Sequence, residues 1–184
     1  MIRIRRRLFA VLATIGLLVH VGLAGQPAAK KTAPSVTRIY IDQDTGDVHL
    51  AYSNGNDIPI KKWTENVSDP KVASDRVTAG WLLEDRAGTS YTVPQAVVVY
   101  RSGKVLRTLA PSDWPIIVEW RFFRGGTQVG FSSSALHGAE AERRSFELHD
   151  VQTGRILESW DDQQHGNPPS WVQELSELEQ KSQH

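Results

Sequence analysis

At 184 residues, with 40% hydrophobic residues and a mean hydropathy of −0.36, the chain has the size and polarity of one soluble globular domain, which excludes a disordered or multi-span protein. Its formal net charge of +0 hides an asymmetry. Residues 1–24 hold four arginines and no acid, so the remainder carries 17 of the 21 basic residues against 21 acidic ones, a net charge of about −4. An acidic remainder has little with which to neutralise phosphates, which argues against nucleic acid as a partner.

The N-terminus carries the sharpest signal. Arg3, Arg5, Arg6 and Arg7 form a basic region, and residues 8–23 are apolar except for Thr14 and His20. Gly22 and Ala24 then place small residues where a signal peptidase reads. The expected organisation is a signal peptide over 1–24, a flexible tether over 25–34, a β domain over 35–167, and a C-terminal helix and tail over 168–184. Cleavage is expected after Ala24, with Ala29 as the second site. The alternative is an uncleaved anchor in the inner membrane, because the apolar run sits at the lower edge of spanning length. The chain is therefore expected to be exported, periplasmic or secreted, with no membrane contact beyond the leader. It has no cysteine, so neither a lipid-modified cysteine nor a disulfide is available, and a packed core must stabilise the domain.

From residue 36, apolar and polar residues alternate at the two-residue period of a half-buried strand. Thr37, Ile39 and Ile41 alternate with Arg38 and Tyr40, and Asp42, Asp44 and Gly46 mark a reversal into a strand over 48–52. Asn54, Gly55 and Asn56 mark the next reversal, into a strand over 58–63 whose Pro59 belongs at an edge or a strand start. Further strands are expected over 77–84, 93–100, 105–109, 116–123, 127–133, 145–151 and 155–160, punctuated by glycine- and aspartate-rich turns. No helical period of useful length appears before residue 170. There Trp171, Val172, Leu175 and Leu178 share one helical face, and Glu174, Glu177 and Glu179 cover the solvent side. Ser170 and Gln173 have the spacing of a capping box. The simpler reading is a short helix packed on a sheet; the other is a partner-binding helix.

The strand and turn over 146–154, with Phe146, Leu148, His149, Asp150, Thr153 and Gly154, resemble the blades of WD-repeat and TolB-like β-propeller proteins, with His149 where such a blade carries tryptophan. The segments 75–81 and 120–130, the latter with Gly125 and Gly126 at its turn, resemble further pieces of a blade. The resemblance implies two blade-like units over 75–110 and 114–161, with a partial one over 36–65. At about 40 residues per blade the mature chain, with part of it given to the tether and helix, is too short for a closed ring of four. The expected fold class is therefore all-β, with two to three antiparallel blade-like sheets that do not close, plus a short C-terminal helix. A two-sheet β-sandwich is the alternative. The resemblance implies a recognition scaffold, although a fold alone does not fix a function.

Candidate chemistry is sparse. Asp42, Asp44 and Asp47 give the oxygen density of a calcium loop, but no bidentate carboxylate follows, and a hairpin turn capped by aspartate explains them as well. His137, in a loop with Glu140 and Glu142, is the best acid–base candidate by proximity. The other histidines lack a metal-ligand spacing. Residues 130–134 lack the second glycine of a nucleophile elbow. Trp81, Trp120 and Trp160 fall at strand positions and are expected to be buried, whereas Trp63 and Trp114 lie near turns and are candidates for a binding surface.

No cofactor is expected. The leading reading is a non-enzymatic extracytoplasmic module that binds a protein, peptide or glycan through loops or edge strands. The alternatives are a small hydrolase-like enzyme using His137 with a nearby carboxylate, and a structural envelope component held by its leader. Intact-mass and N-terminal analysis of the exported protein is expected to find a chain beginning at Gly25; a full-length species in the membrane fraction would instead identify an anchor.

Overall fold

The computed structural model describes residues 33–60, 66–86 and 90–182. Residues 1–32, which include the expected signal peptide and most of the expected tether, residues 61–65 (and with them Trp63), residues 87–89 and the last two residues lie outside this set. The described residues form eleven strands and one helix: β1 (Val36–Ile41), β2 (Val48–Tyr52), β3 (Asp57–Ile60), β4 (Asn66–Val72), β5 (Thr78–Asp85), β6 (Val93–Arg101), β7 (Lys104–Leu109), β8 (Ile116–Phe123), β9 (Gln128–Ser134), β10 (Ser145–Asp150), β11 (Ile156–Asp161) and α1 (Ser170–Ser182). They make three antiparallel meanders, ordered β1-β2-β3, β4-β5-β6-β7 and β11-β10-β9-β8. The architecture is therefore all-β in three open sheets, one more than a sandwich would need. Among the described residues no helix is long and apolar enough to cross a membrane.

One turn chemistry recurs. In the β1–β2 hairpin, Asp42 Oδ1 accepts from the backbone of Asp44 and Thr45 and from the Thr45 hydroxyl, at 2.8–3.1 Å. In the β10–β11 hairpin, Asp150 Oδ1 accepts from the Thr153 amide and hydroxyl, both at 2.7 Å. In each, a glycine four residues after the aspartate donates to the aspartate's own carbonyl and turns with positive φ. The aspartates prefer to be charged here, because each carboxylate collects several donors. Bonds from Thr45 hold Asp42 below the usual carboxylate range, and bonds from Thr153 do the same for Asp150.

The sheets stack through alternate residues. Val36, Ile39, Val48, Leu50 and Ile60 of the first sheet pack on Ala79, Trp81, Val98 and Tyr100 of the middle one. The opposite face of the middle sheet presents Leu82, Val97, Val99 and Leu109 to Ile117, Trp120, Val129, Phe131 and Val151 of the last sheet and its turn. β6 shows the period directly: Val98 and Tyr100 face one neighbour, Val97 and Val99 the other, so residues 96–100 are apolar without interruption because both faces of the strand are buried there. The far face of the last sheet is closed by α1, whose Trp171, Val172 and Leu175 pack on Phe146 and Leu148. At roughly 1.5–3 kcal/mol per buried large side chain, these three interfaces are the main source of stability.

Two expectations need correction. β4 was absent from the sequence reading because residues 66–72 include Asp69 and Pro70 and do not alternate; the structure accommodates them in an edge strand with a bulge between Ser68 and Lys71, where Asp69 takes φ of 45°. The capping box is replaced by another closure. The Val172 and Gln173 amides both donate to the Pro169 carbonyl, and the Gln173 side chain donates to the carbonyl of Pro168.

A polar relay runs along β10. Glu147, only 1% exposed, accepts from the Ser112 amide (2.8 Å) and hydroxyl, and its other oxygen lies 2.8 Å from His149 Nε2. His149 stacks on Phe131, and its Nδ1 faces the Gly154 carbonyl. Burial pushes the Glu147 carboxyl up, but the bonds from His149 and Ser112 outweigh it and hold it below its ordinary value. Its contribution to stability is thus present at neutral pH and is lost as pH falls through that lowered value.

The contact between the middle and last sheets depends on Gly80. A Cβ there would lie 2.6 Å from the Val98 carbonyl oxygen and about 3 Å from the rings of Trp120 and Phe122. Gly80→Ala is expected to cost about 2–4 kcal/mol by overpacking a site walled by backbone, read as a lower midpoint in urea unfolding. An unchanged midpoint would mean that the two sheets are not held this closely.

Candidate functional site

The middle and last sheets bring two adjoining edge strands together, β4 and β8. Lys71 on β4 ties them. Its ammonium has three protons and meets three acceptors: Asp69 at 2.9 Å, Glu119 at 2.7 Å and the backbone carbonyl of Trp120 at 2.6 Å. The Glu119 carboxylate also accepts the Trp120 amide at 2.9 Å, so this stretch of the β8 edge is satisfied by side chains. By the two-residue period of a strand, the amide and carbonyl of Phe122 face the same open side as those of Trp120.

The turns at the end of these strands pack on one another. Gly126, with φ of 85°, comes so close to the β4–β5 turn that a Cβ would lie 2.7 Å from that of Ala73 and 3.1 Å from Asp75. Asp75 shapes its own turn by accepting the amides of Val77 and Thr78 and the Thr78 hydroxyl. Each turn carries an exposed arginine in the left-handed region, Arg76 at φ of 59° and Arg124 at φ of 45°. A residue with a Cβ gives up roughly 1 kcal/mol there relative to glycine.

Beside these turns lies a cleft with two lobes that share Ser74, Arg121 and Phe122. One lobe, about 560 Å³, runs along β4 and is bordered by Lys71, Val72 and Arg76. The other, about 490 Å³, passes between the end of β8 and the first turn of α1, past Phe123, Arg124, Leu148, Glu158 and Trp171. Arg121 lies over the Phe123 ring at 5.1 Å and pairs with Glu174 of α1 at 3.0 Å. The Trp171 indole donates to Glu158 at 2.8 Å. The cleft is thus lined by the rings of Phe122, Phe123 and Trp171, and its charged border carries Lys71, Arg76, Arg121 and Arg124 beside Glu158 and Glu174.

A second polar group occupies the outer face of the first sheet. Arg38 lies over the Tyr40 ring at 4.4 Å, Tyr40 stacks on its cross-strand partner His49 at 5.0 Å, and both reach Asp57, the hydroxyl at 2.8 Å and the imidazole Nδ1 at 2.9 Å. Bonds from Tyr40 and then His49 hold Asp57 below its ordinary value, and Asp57 in turn raises Tyr40.

The residues singled out from sequence fall elsewhere. His137 is exposed and has no hydrogen bond or ion pair among the described residues; Glu140 pairs with Arg143 at 2.6 Å instead, and Glu142 lies near Arg144 and Glu179. Trp114 is half-buried with the Arg143 guanidinium 5.9 Å from its ring. Asp42 is engaged by its own turn, Asp44 is exposed, and Asp47 is half-buried beside them. Among the described residues no three His, Cys, Asp or Glu side chains group closely enough to hold a metal ion. The cleft residues were missed because none belongs to a local motif. The only signal was the pair of arginines at turn positions where glycine or asparagine is usual.

No family model matches the chain, and no curated protein does. Among solved structures, a chain of Kuenenia stuttgartiensis hydrazine synthase is similar over 67% of this chain and 33% of that one, with 15% identity and a TM-score of 0.44. This chain therefore spans about a third of that one's length, and a likeness at this level assigns it no activity.

The Asp57 cluster makes a pH prediction. A depressed carboxyl contributes stability above its unfolded value and loses it as pH falls through the folded one. In an NMR titration Asp57 is expected to have its midpoint below 3.8, and Tyr40→Phe to move that midpoint upward. A midpoint indifferent to the hydroxyl would remove Tyr40 from the cluster.

Proposed function

We propose that the chain is an exported, non-enzymatic binding module that receives an extended peptide in the cleft along β4 and β8. The observation that carries this reading is the coincidence of an open strand edge at Phe122 with a two-lobed cleft floored by Phe122, Phe123 and Trp171. An extended chain supplies backbone donors and acceptors to such an edge and alternate side chains to the adjoining lobes. The blade-like reading of the sheets supports it further. In a closed propeller the innermost edges surround a central channel, whereas in an open arc they are free to meet a partner. Export follows from the basic and apolar leader, and the acidic remainder suits a protein partner better than a nucleic acid.

The test uses the mature protein and a mixed library of fluorescein-labelled extended peptides, read by fluorescence anisotropy. Ser74 is exposed and borders both lobes, so Ser74→Trp fills their junction without entering the core. That variant is expected to weaken binding about tenfold or more, while Asn54→Trp in the β2–β3 turn leaves it unchanged. Binding that survives Ser74→Trp would place the site elsewhere, and retention on a glycan array without peptide binding would replace the peptide by a carbohydrate.

A further inference from the structure

We infer that the peptide taken by this cleft is acidic, that Arg76, Arg121 and Arg124 read its carboxylates, and that Glu174 of α1 stands in for one of them in the free protein. This inference rests on the peptide-binding reading above and adds the chemistry of the ligand.

Three observations converge. Arg76 and Arg124 are exposed, border the two lobes, and have no ion pair among the described residues. The contact of Gly126 with Ala73 and Asp75 brings their turns side by side, so the two guanidinium groups belong to one rim. Both arginines also sit in left-handed backbone, where glycine would be relaxed and a long side chain is strained. Strain held at two adjoining turns, by the same residue type and beside the same cleft, points to a role for the side chains rather than to the turns themselves.

Arg121 completes the set. Alone among the three it has a carboxylate partner, Glu174, and that ion pair is open to solvent, with 36% and 48% of the two side chains exposed. A pair so exposed is weak and exchangeable. A ligand carboxylate arriving along β8 replaces Glu174 on a guanidinium already oriented over the Phe123 ring. Of the other acids near the cleft, Glu119 pairs with Lys71, whereas Glu158 receives the Trp171 indole and keeps its negative charge at the α1 end of the cleft. The cations of the cleft without a carboxylate partner among the described residues are Arg76 and Arg124, Arg121 joins them when Glu174 is displaced, and acidic residues spaced along an extended chain match these three.

The experiment compares three fluorescein-labelled pools of extended peptides, apolar at alternate positions and carrying Asp, Asn or Lys between them. The mature protein is expected to bind the Asp pool about tenfold or more tightly than the Asn pool, with the difference shrinking as salt is added. Arg76→Gly with Arg124→Gly is expected to lose that preference while its thermal midpoint holds or rises, because glycine relieves the strain. Glu174→Gln is expected to tighten Asp-pool binding about threefold by freeing Arg121. Equal binding of the Asp and Asn pools, or an Asp preference that survives loss of both turn arginines, overturns the acidic reading and leaves the peptide module standing. An affinity unchanged by Glu174→Gln overturns the stand-in. Failure of all three pools overturns both proposals together.

Discussion

The structure depends on one constraint: a β-sheet whose two faces are apolar must have both of them covered. The middle sheet is in that position, and β6 shows it residue by residue, with Val97 and Val99 turned one way and Val98 and Tyr100 the other. Neither neighbour is optional, since removing one would expose Trp81 on one side or leave Trp120 without a surface on the other. The three-layer stack follows from this.

Covering the middle sheet moves the problem outward, and the two ends answer it differently. The last sheet keeps an apolar outer face, with Phe146 and Leu148, and α1 covers it with a stripe of Trp171, Val172 and Leu175. The first sheet turns a polar outer face to its surroundings, built from Arg38, Tyr40, His49 and Asp57. A stack of sheets needs ends of this kind, because an end sheet with an uncovered apolar face would present that face to water. This is the physical reason the stack can end at three sheets.

Faces and edges of the sheets then differ in how they are used. The faces are packed at glycine-level clearance, as at Gly80, while on the β8 edge Lys71 and Glu119 satisfy the backbone at Trp120 and end short of Phe122. The cleft forms where this clamp ends and the two turns carrying Arg76 and Arg124 begin. Its polar side chains cost little stability because they sit outside the stacked cores. The relay of Ser112, Glu147 and His149 has the opposite character, since its two ionisable members are buried and bond to one another and to the exposed Ser112.

Local chemistry was legible in the residues themselves. Period-two spacing with Asp, Thr and Gly reversals specified antiparallel strands, because both the alternation and the turn bonds are made within a few residues of chain. Ile116–Phe123 and the Asp150 turn could be read in this way, and so could the apolar stripe of α1. β4 could not, because Asp69 and Pro70 contradict strand propensity and only pairing with β5 overrides them. Which faces meet, and which edges remain open, was decided by the tertiary structure alone. The partners concerned, Lys71 with Trp120, Gly126 with Ala73 and Arg121 with Glu174, lie about 50 residues apart in the chain and come together only when the sheets stack.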